Sequence, residues 1–119
     1  MKFSAERNEL LEAVSKLQKA VGSKTSMAVL EGVLVTAEPG KITLTSYNLE
    51  MGMRKELFAK CDEEGSIVIP ARLLSDILRR MNASQVVITT DKKLNCNIKC
   101  GDATFDIMGM AAEDFPEMP

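Results

Sequence analysis

The sequence predicts an α+β fold in which two amphipathic helices lie side by side on antiparallel sheet. Three observations support this class. Two segments carry apolar residues at helical spacing, several others alternate apolar and polar residues, and the order strand, helix, three strands occurs twice. Both apolar stripes can be buried if the helices pack on the sheet. The 119 residues fit one compact domain with a single core.

The first half of the chain begins with a short strand and a helix. Phe3 to Ala5 is the strand, and apolar residues recur at helical spacing from Leu10 to Val21, just before Gly22. Three strands are predicted next, at 32–36, at 42–45 and from Leu49 through Met51 and Met53 toward Phe58. The methionines are expected to fill the core. The acidic segment at 62–65 is interpreted as a solvated turn.

The second half repeats this order. Residues 66–69 form a strand that ends at Pro70, which suits the first turn of a helix because its missing N–H needs no partner there. Arg72 and Arg79 lie seven residues apart and therefore share one side of that helix. Its apolar stripe consists of Leu73, Leu74, Ile77, Leu78 and Met81. Strands are predicted at 85–90, 94–100 and 103–108.

The composition argues against an enzyme and against binding through bulk charge. The chain contains no histidine, no nucleophile elbow and no glycine-rich phosphate loop, so no catalytic constellation, metal site or cofactor site is predicted. The net charge of -2 means that any contact with DNA depends on a local basic patch. The cations expected on the exposed helix faces are Lys16, Lys19, Arg72, Arg79 and Arg80.

The cysteines and the hydropathy pattern indicate a cytoplasmic protein. Cys61, Cys96 and Cys100 lack the spacing of a disulfide framework or a zinc site, so they are interpreted as reduced thiols. Cys96 and Cys100 should face the same side of a strand and be buried. No segment approaches the ~20 apolar residues that span a bilayer, so no membrane partner is expected.

Four short motifs in order along the chain resemble the family of bacterial β sliding clamps, the DNA polymerase III beta subunits. These motifs are Met1-Lys2-Phe3, Asn48-Leu49-Glu50-Met51, Pro70-Ala71-Arg72 and Asp114-Phe115-Pro116. The resemblance covers essentially the whole chain. In that family, each subunit has three domains, and two subunits close head to tail into a ring. The resemblance therefore implies that residues 1–119 are the single N-terminal domain, with the second and third domains absent.

The resemblance implies the DNA-clamp fold, a duplicated βαβββ unit with its helices turned toward the pore. It implies a non-catalytic processivity factor of the DNA polymerase III holoenzyme, which encircles duplex DNA during replication through weak, sequence-independent phosphate contacts. The full-length protein would form a homodimer and engage the replicative DNA polymerase and the clamp loader. The hydrophobic cleft that binds partner peptides belongs to later domains in that family, so it is not expected in this one.

The resemblance also assigns roles to individual residues. Lys24 and Arg72 fall where the family contacts DNA, although lysine at position 24 lacks the bidentate fork of arginine. Arg79 either lines the pore or belongs to a solvated helix face, and Arg72 either meets phosphate or pairs with Asp76. Phe105 and Ile107, on the last strand, are the predicted subunit interface. Known members place arginines around that edge, whereas this chain has Asp102 and Thr104 there.

Two other functions remain open from the sequence. The first is a protein-interaction module of the same fold whose contact with DNA is incidental. The second is a thiol-dependent enzyme, which would require a reactive cysteine.

Overall fold

The fold consists of two antiparallel sheets with two helices packed on the inner side of both. The computed structural model describes residues 1–22 and 27–118. In chain order the regular elements are β1 (Lys2–Glu6), α1 (Arg7–Leu17), β2 (Gly32–Glu38), β3 (Lys41–Tyr47), β4 (Gly52–Phe58), β5 (Lys60–Glu63), β6 (Gly65–Pro70), α2 (Ala71–Arg80), β7 (Gln85–Thr90), β8 (Asn95–Cys100) and β9 (Ala103–Met108). Short 3-10 turns lie at Gln18–Ala20, Ala28–Glu31 and Ala112–Asp114.

The strand order confirms the predicted α+β class and the duplicated unit. The first sheet has the order β5-β1-β7-β8-β9, and the second has the order β4-β3-β2-β6. Each sheet therefore combines the three consecutive strands of one half with the first strand of the other half. β1 pairs with β7 and β6 pairs with β2, both antiparallel. Because the halves exchange strands in this way, neither half can complete its own sheet.

The main core lies between the helices and the sheets. Equivalent helix positions in the two halves are apolar, and Leu10 matches Leu74 as Val14 matches Leu78. Each of these four side chains is at most 1% exposed. Burying a side chain of this size contributes about 2 kcal/mol. The two predicted stripes thus pack into one continuous core, as expected for helices that lie side by side.

The predicted third strand begins later than expected, and two of its predicted core residues are exposed. β4 starts at Gly52, while Leu49 and Met51 are 55% and 46% exposed. The Oδ1 of Asn48 accepts hydrogen bonds from the backbone N–H groups of Glu50 and Met51, at 3.0 and 2.7 Å. This turn holds Leu49 at φ +76°. The alternation of apolar residues therefore continues into a turn, and the prediction that Met51 fills the core was wrong.

The segment predicted as a solvated turn is partly a strand. β5 pairs with β1, with Phe3 opposite Cys61. After β9, Met110 forms an isolated bridge with Val68 of β6. Each initial strand, β1 or β6, is therefore covered by the chain that follows the three strands of its own half, β2–β4 or β7–β9. Pairing of this kind depends on distant residues, so local composition at 62–65 did not indicate it.

Both helices end earlier than their apolar patterns suggested. α1 ends at Leu17 and continues as a 3-10 turn, so Val21 lies outside it. α2 ends at Arg80, so Met81 lies outside it. It begins at Ala71, and Pro70, expected in its first turn, is instead the last residue of β6 and precedes the helix. Leu73, predicted in the buried stripe, is 43% exposed. In the described ranges, 1–22 and 27–118, no helix is long and apolar enough to cross a membrane.

Candidate nucleic-acid interface

The exposed sides of α1 and α2 form one adjoining surface, which we call the inner face. The two helices pack against each other, and their outward positions are polar or charged. Its exposed cations are Lys16, Lys19, Arg72, Arg79 and Arg80, and its exposed carboxylates are Glu9, Glu12 and Asp76. The inner face is therefore more basic than the weakly acidic chain as a whole, which is the local patch that contact with phosphate requires.

Arg7 ties the start of α1 to the end of α2. Its Nη1 donates to the carbonyl oxygen of Leu78 at 2.9 Å, and its backbone N–H donates to that of Ser84 at 2.8 Å. Its Nη2 donates to Oδ1 of Asn8 at 2.7 Å. A guanidinium at a helix C-terminus also interacts favourably with the helix dipole. Arg7 thus fixes how the two helices present their exposed sides.

The sequence did not single out Arg7. A signal existed nonetheless, because the polar run from Glu6 to Asn8 is typical of a helix start. Glu6 indeed caps α1, with its side chain accepting from the backbone N–H groups of Asn8 and Glu9 at 2.8 and 3.1 Å. The bond from Arg7 to α2 joins distant parts of the chain and leaves no local pattern.

Two ion pairs neutralise part of the charge on the inner face. Glu12 pairs with Lys16 at 3.0 Å, and Asp76 pairs with Arg79 at 3.5 Å. The hydrogen bond from Lys16 lowers the pKa of Glu12, and the positive charge of Lys16 acts in the same direction. All four side chains are more than half exposed. Exposed pairs of this kind contribute little to stability, so a phosphate group can compete with them.

Arg72 has no ion pair within the described part of the chain. Its predicted competitor, Asp76, turns toward Arg79 instead. The direction along the helix explains this choice, because an acid placed before a base is the more favourable order. Asp76 precedes Arg79 but follows Arg72. The guanidinium of Arg72 is exposed at the start of α2, on the same side as Arg79.

The other predicted DNA contact, Lys24, lies outside the described residues. The structure therefore brings together Arg72 and Arg79 of the predicted set, with Lys16 on the neighbouring helix and Lys19 in the 3-10 turn that follows it.

β9 forms one end of the first sheet, and no described strand pairs with its far side. Phe105 lies opposite Ile98 and Ile107 opposite Cys96, so both predicted interface residues face the core side and are half-buried. On the other side of the sheet, Nδ2 of Asn97 donates to side-chain oxygens of Thr104 and Asp106, both at 2.9 Å. The edge thus offers unpaired backbone with apolar side chains beside it.

Cys96 and Cys100 contribute to the packing of the fold rather than to a reactive site. Cys96 and Cys100 are buried on one side of β8, as predicted. Burial raises the pKa of Cys96 to about 11, and the negative charge of Asp106 adds to the effect. The Sγ of Cys100 donates to the carbonyl oxygen of Ala83 at 3.3 Å. A protonated buried thiol is a poor nucleophile. Within residues 1–22 and 27–118, no three His, Cys, Asp or Glu side chains are placed to hold a metal ion.

Comparison with known proteins gives a consistent result. The family model described as the DNA polymerase III beta subunit, N-terminal domain, matches residues 1–119. The beta sliding clamp of Synechococcus elongatus is 31% identical over the whole chain, which covers 32% of that protein. The beta sliding clamp of Streptomyces coelicolor is 33% identical, and the chain covers 31% of it.

Solved structures agree in fold. The putative DNA polymerase III beta subunit from Eubacterium rectale has a TM-score of 0.95 at 33% identity. The DNA polymerase sliding clamp from Bacillus subtilis has a TM-score of 0.95 at 26% identity. Each comparison covers 100% of this chain and 33% of the solved chain. The chain therefore spans about one third of the length of the relatives that it matches.

Proposed function

The chain belongs to the family of DNA polymerase III beta subunit N-terminal domains, and on this premise we propose that it is the first of three domains in a ring-shaped sliding clamp. The ring encircles duplex DNA and confers processivity on the replicative DNA polymerase without catalysing a reaction. The observation that carries this proposal is the inner face, where two adjacent helices present exposed cations although the whole chain has a net charge of -2.

Weak contacts suit such a ring. A closed ring cannot dissociate sideways, so it needs only phosphate contacts that are independent of base sequence and easily exchanged during sliding. Exposed lysine and arginine side chains on a helix surface provide contacts of this kind. Arg79 exchanges its ion pair with Asp76 for phosphate at little cost, because that pair is exposed.

Arg72 is the leading candidate for a DNA contact, with Arg79 and Lys24 beside it in the proposal. The guanidinium of Arg72 is exposed and has no ion pair in the described ranges, so it can donate two parallel hydrogen bonds to a phosphate group. Lys24 would add a single ammonium charge, which is a less directional contact.

The open sheet edges suit assembly from consecutive domains. We place the partner subunit of the homodimer at β9, where Phe105 and Ile107 lie next to unpaired backbone. β4, the edge of the second sheet, occupies the equivalent position in the other half of the duplicated unit. It is correspondingly placed to meet the next domain of the same chain. Contacts with the polymerase and the clamp loader belong to the full-length protein.

The decisive experiment reverses the charge of Arg72 together with Lys24 in the full-length protein. We expect Arg72→Glu with Lys24→Glu to reduce clamp loading on primed DNA and salt-sensitive DNA binding by roughly tenfold, because two phosphate contacts are replaced by repulsion. The measurements are retention on circular DNA and its dependence on salt concentration. Circular dichroism verifies that the variant is folded.

The matched control is Lys99→Glu with Lys92→Glu, two exposed lysines, one on β8 and one in the turn between β7 and β8. The control pair should load normally. If the inner-face variant also loads and binds normally, these residues do not contact DNA. A clamp-fold interaction module with incidental DNA contact would then be the better interpretation.

A further inference from the structure

A buried hydroxyl group of the second sheet supports the end of α1. Ser46 follows Ile42 and Leu44 on the core side of β3, and its side chain is fully buried. Its Oγ donates to the carbonyl oxygen of Leu17, the last residue of α1, at 2.7 Å. The last carbonyl groups of a helix lack partners within the helix, so a donor from elsewhere stabilises them. Ser46 therefore fixes the end of α1 against the sheet.

The other half of the fold has a donor at the equivalent position. Cys100 is the last residue on the core side of β8, the middle strand of its three, as Ser46 is on β3. Its Sγ donates to the carbonyl oxygen of Ala83, just beyond the end of α2, at 3.3 Å. A thiol is a weaker donor than a hydroxyl group. The contact between the middle strand and the end of the helix is thus a property of the repeated unit, and the bond from Ser46 is its stronger form.

The segment that this hydroxyl group supports carries an exposed lysine of the inner face. Beyond α1 the chain forms the 3-10 turn Gln18–Ala20, in which Ala20 is fully buried and Lys19 is exposed. After the turn, the backbone N–H of Gly22 donates to the carbonyl oxygen of Leu30 at 2.8 Å. The turn is therefore held on both sides, and the backbone of Lys19 has a defined position from which its side chain extends.

The ammonium group of Lys19 is available to a ligand. A lysine near the end of a helix often donates to the last carbonyl groups, but Ser46 already donates to that of Leu17 from the core side. Within residues 1–22 and 27–118, Lys19 forms no ion pair, whereas Lys16 pairs with Glu12. Lys19 is therefore an uncompensated cation at the end of α1.

We propose that Lys19 is a further phosphate contact of the inner face, and that Ser46 positions it by holding the end of α1. This inference rests on the proposed function and extends it to a buried residue that does not touch DNA. A side chain on a fixed turn loses less conformational freedom on binding than one on a flexible segment. The hydrogen bond from Ser46 thus strengthens a contact that is a point charge and independent of base sequence.

Retention of the full-length protein on circular duplex DNA, measured over a range of salt concentrations, tests the proposal. Lys19→Gln should lower affinity roughly fivefold and reduce the slope of log affinity against log salt by about one, because one phosphate contact is lost. Ser46→Ala should lower affinity roughly threefold. Combined with Lys19→Gln, it should cause no further loss, since Ser46 acts through Lys19. Ser46→Cys retains a weaker donor, the one that Cys100 provides, and should recover most of the affinity.

Ser75→Ala is the matched control for the loss of a buried hydroxyl group. Ser75 of α2 is as buried as Ser46, and its Oγ has no hydrogen-bond partner in the described part of the chain. This variant should leave both affinity and salt slope unchanged. Thermal unfolding verifies that each variant is folded in the binding assay. Lys19→Gln alters an exposed side chain, so it tests the phosphate contact even if Ser46→Ala does not fold.

Four results would overturn the proposal. These are unchanged affinity in Lys19→Gln, unchanged affinity in folded Ser46→Ala, an equal loss in Ser75→Ala, and a loss from Ser46→Ala that persists in full when Lys19 is already replaced. The charge reversal of Arg72 and Lys24 separates this failure from failure of the proposed function. If that reversal lowers DNA binding while Lys19→Gln does not, only the present inference fails. If neither lowers it, the proposed function fails as well.

Discussion

The direction of acid and base along a helix decides which cations on the inner face are available. An acid that precedes a base by three or four residues is well placed to pair with it, as Glu12 does with Lys16 and Asp76 with Arg79. Arg72 precedes its nearest acid and has no ion pair in the described ranges. α2 thus contains one engaged arginine, Arg79, and two arginines without an ion pair in the described ranges, Arg72 and Arg80. Of these two, the family resemblance had selected Arg72.

Arg7 is a second single residue with a large expected effect. Arg7→Ala removes the hydrogen bonds to Leu78 and Asn8 and leaves the Leu78 carbonyl only its 3.3 Å bond from the backbone N–H of Met81, so the free energy of unfolding should fall by about 2 kcal/mol. Arg7→Lys should recover part of that loss. Urea unfolding measures both variants. As a control, Arg80→Ala alters an exposed arginine at the end of α2 and should change stability by less than about 0.5 kcal/mol.

The buried thiol of Cys96 predicts how the alkylation and the stability of the chain depend on pH. Burial raises its pKa to about 11, so at pH 8 alkylation of the folded chain should modify Cys61, which is half-buried, and spare Cys96. Between the ordinary cysteine pKa of about 8.5 and about 11, the unfolded thiol loses a proton that the folded one keeps. The contribution of Cys96 to stability is therefore complete below that window and is lost as pH rises through it.

Mass spectrometry of the alkylated chain checks the first part, and unfolding at pH 8 and pH 10 checks the second. Equal modification of Cys96 and Cys61 in the folded chain at pH 8 would contradict the assignment. A reactive Cys96 would also restore the thiol-dependent enzyme as an alternative.

At the scale of elements, we propose that two of the edge strands, β4 and β9, join the domain to its neighbours. An unpaired strand exposes a row of backbone N–H and C=O groups, which readily add another strand. The isolated bridge between Met110 and Val68 covers part of β6, whereas no described strand pairs with the outer sides of β4 and β9. β5 is an edge strand as well, and assembly is expected at β4 and β9 because they are the equivalent third strands of the two halves.

The β9 interface can be tested in the full-length protein. Phe105→Ala with Ile107→Ala removes the two half-buried apolar side chains next to the edge and should weaken the dimer at least about tenfold, since truncated anchors dominate interface energies. Analytical ultracentrifugation measures the dissociation constant. Met108→Ala alters the exposed neighbour on the same strand and should have little effect. An unchanged dimer in the double variant would place the interface elsewhere.

At the scale of the whole molecule, the isolated domain should bind duplex DNA very weakly. It has a net charge of -2, and a single domain cannot encircle DNA. We expect a dissociation constant no tighter than about 10⁻⁴ M at physiological salt, and weaker binding as salt increases. Titration of labelled duplex DNA measures it. Affinity near 10⁻⁸ M, typical of sequence-specific proteins, would be incompatible with the proposed topological mechanism.

The sequence by itself determined the class of the fold, the two helices and most strands, because apolar periodicity is a local property of the chain. The sequence also predicted that Arg72 and Arg79 share one side of α2 and that Cys96 and Cys100 are buried. Local pattern was misleading at Leu49 and Met51, where hydrogen bonds to the side chain of Asn48 turn the backbone.

Only the tertiary structure decided which segments meet. The pairing of β5 with β1, the bond from Arg7 to Leu78 and the position of Met118 over Gly52 each join residues far apart in sequence. No periodicity records such contacts, because they form only when the chain closes long loops, and burial in a shared core offsets the entropy that loop closure costs. The exchange of first strands between the two halves is the largest example, and it makes a repeated sequence pattern into one indivisible domain.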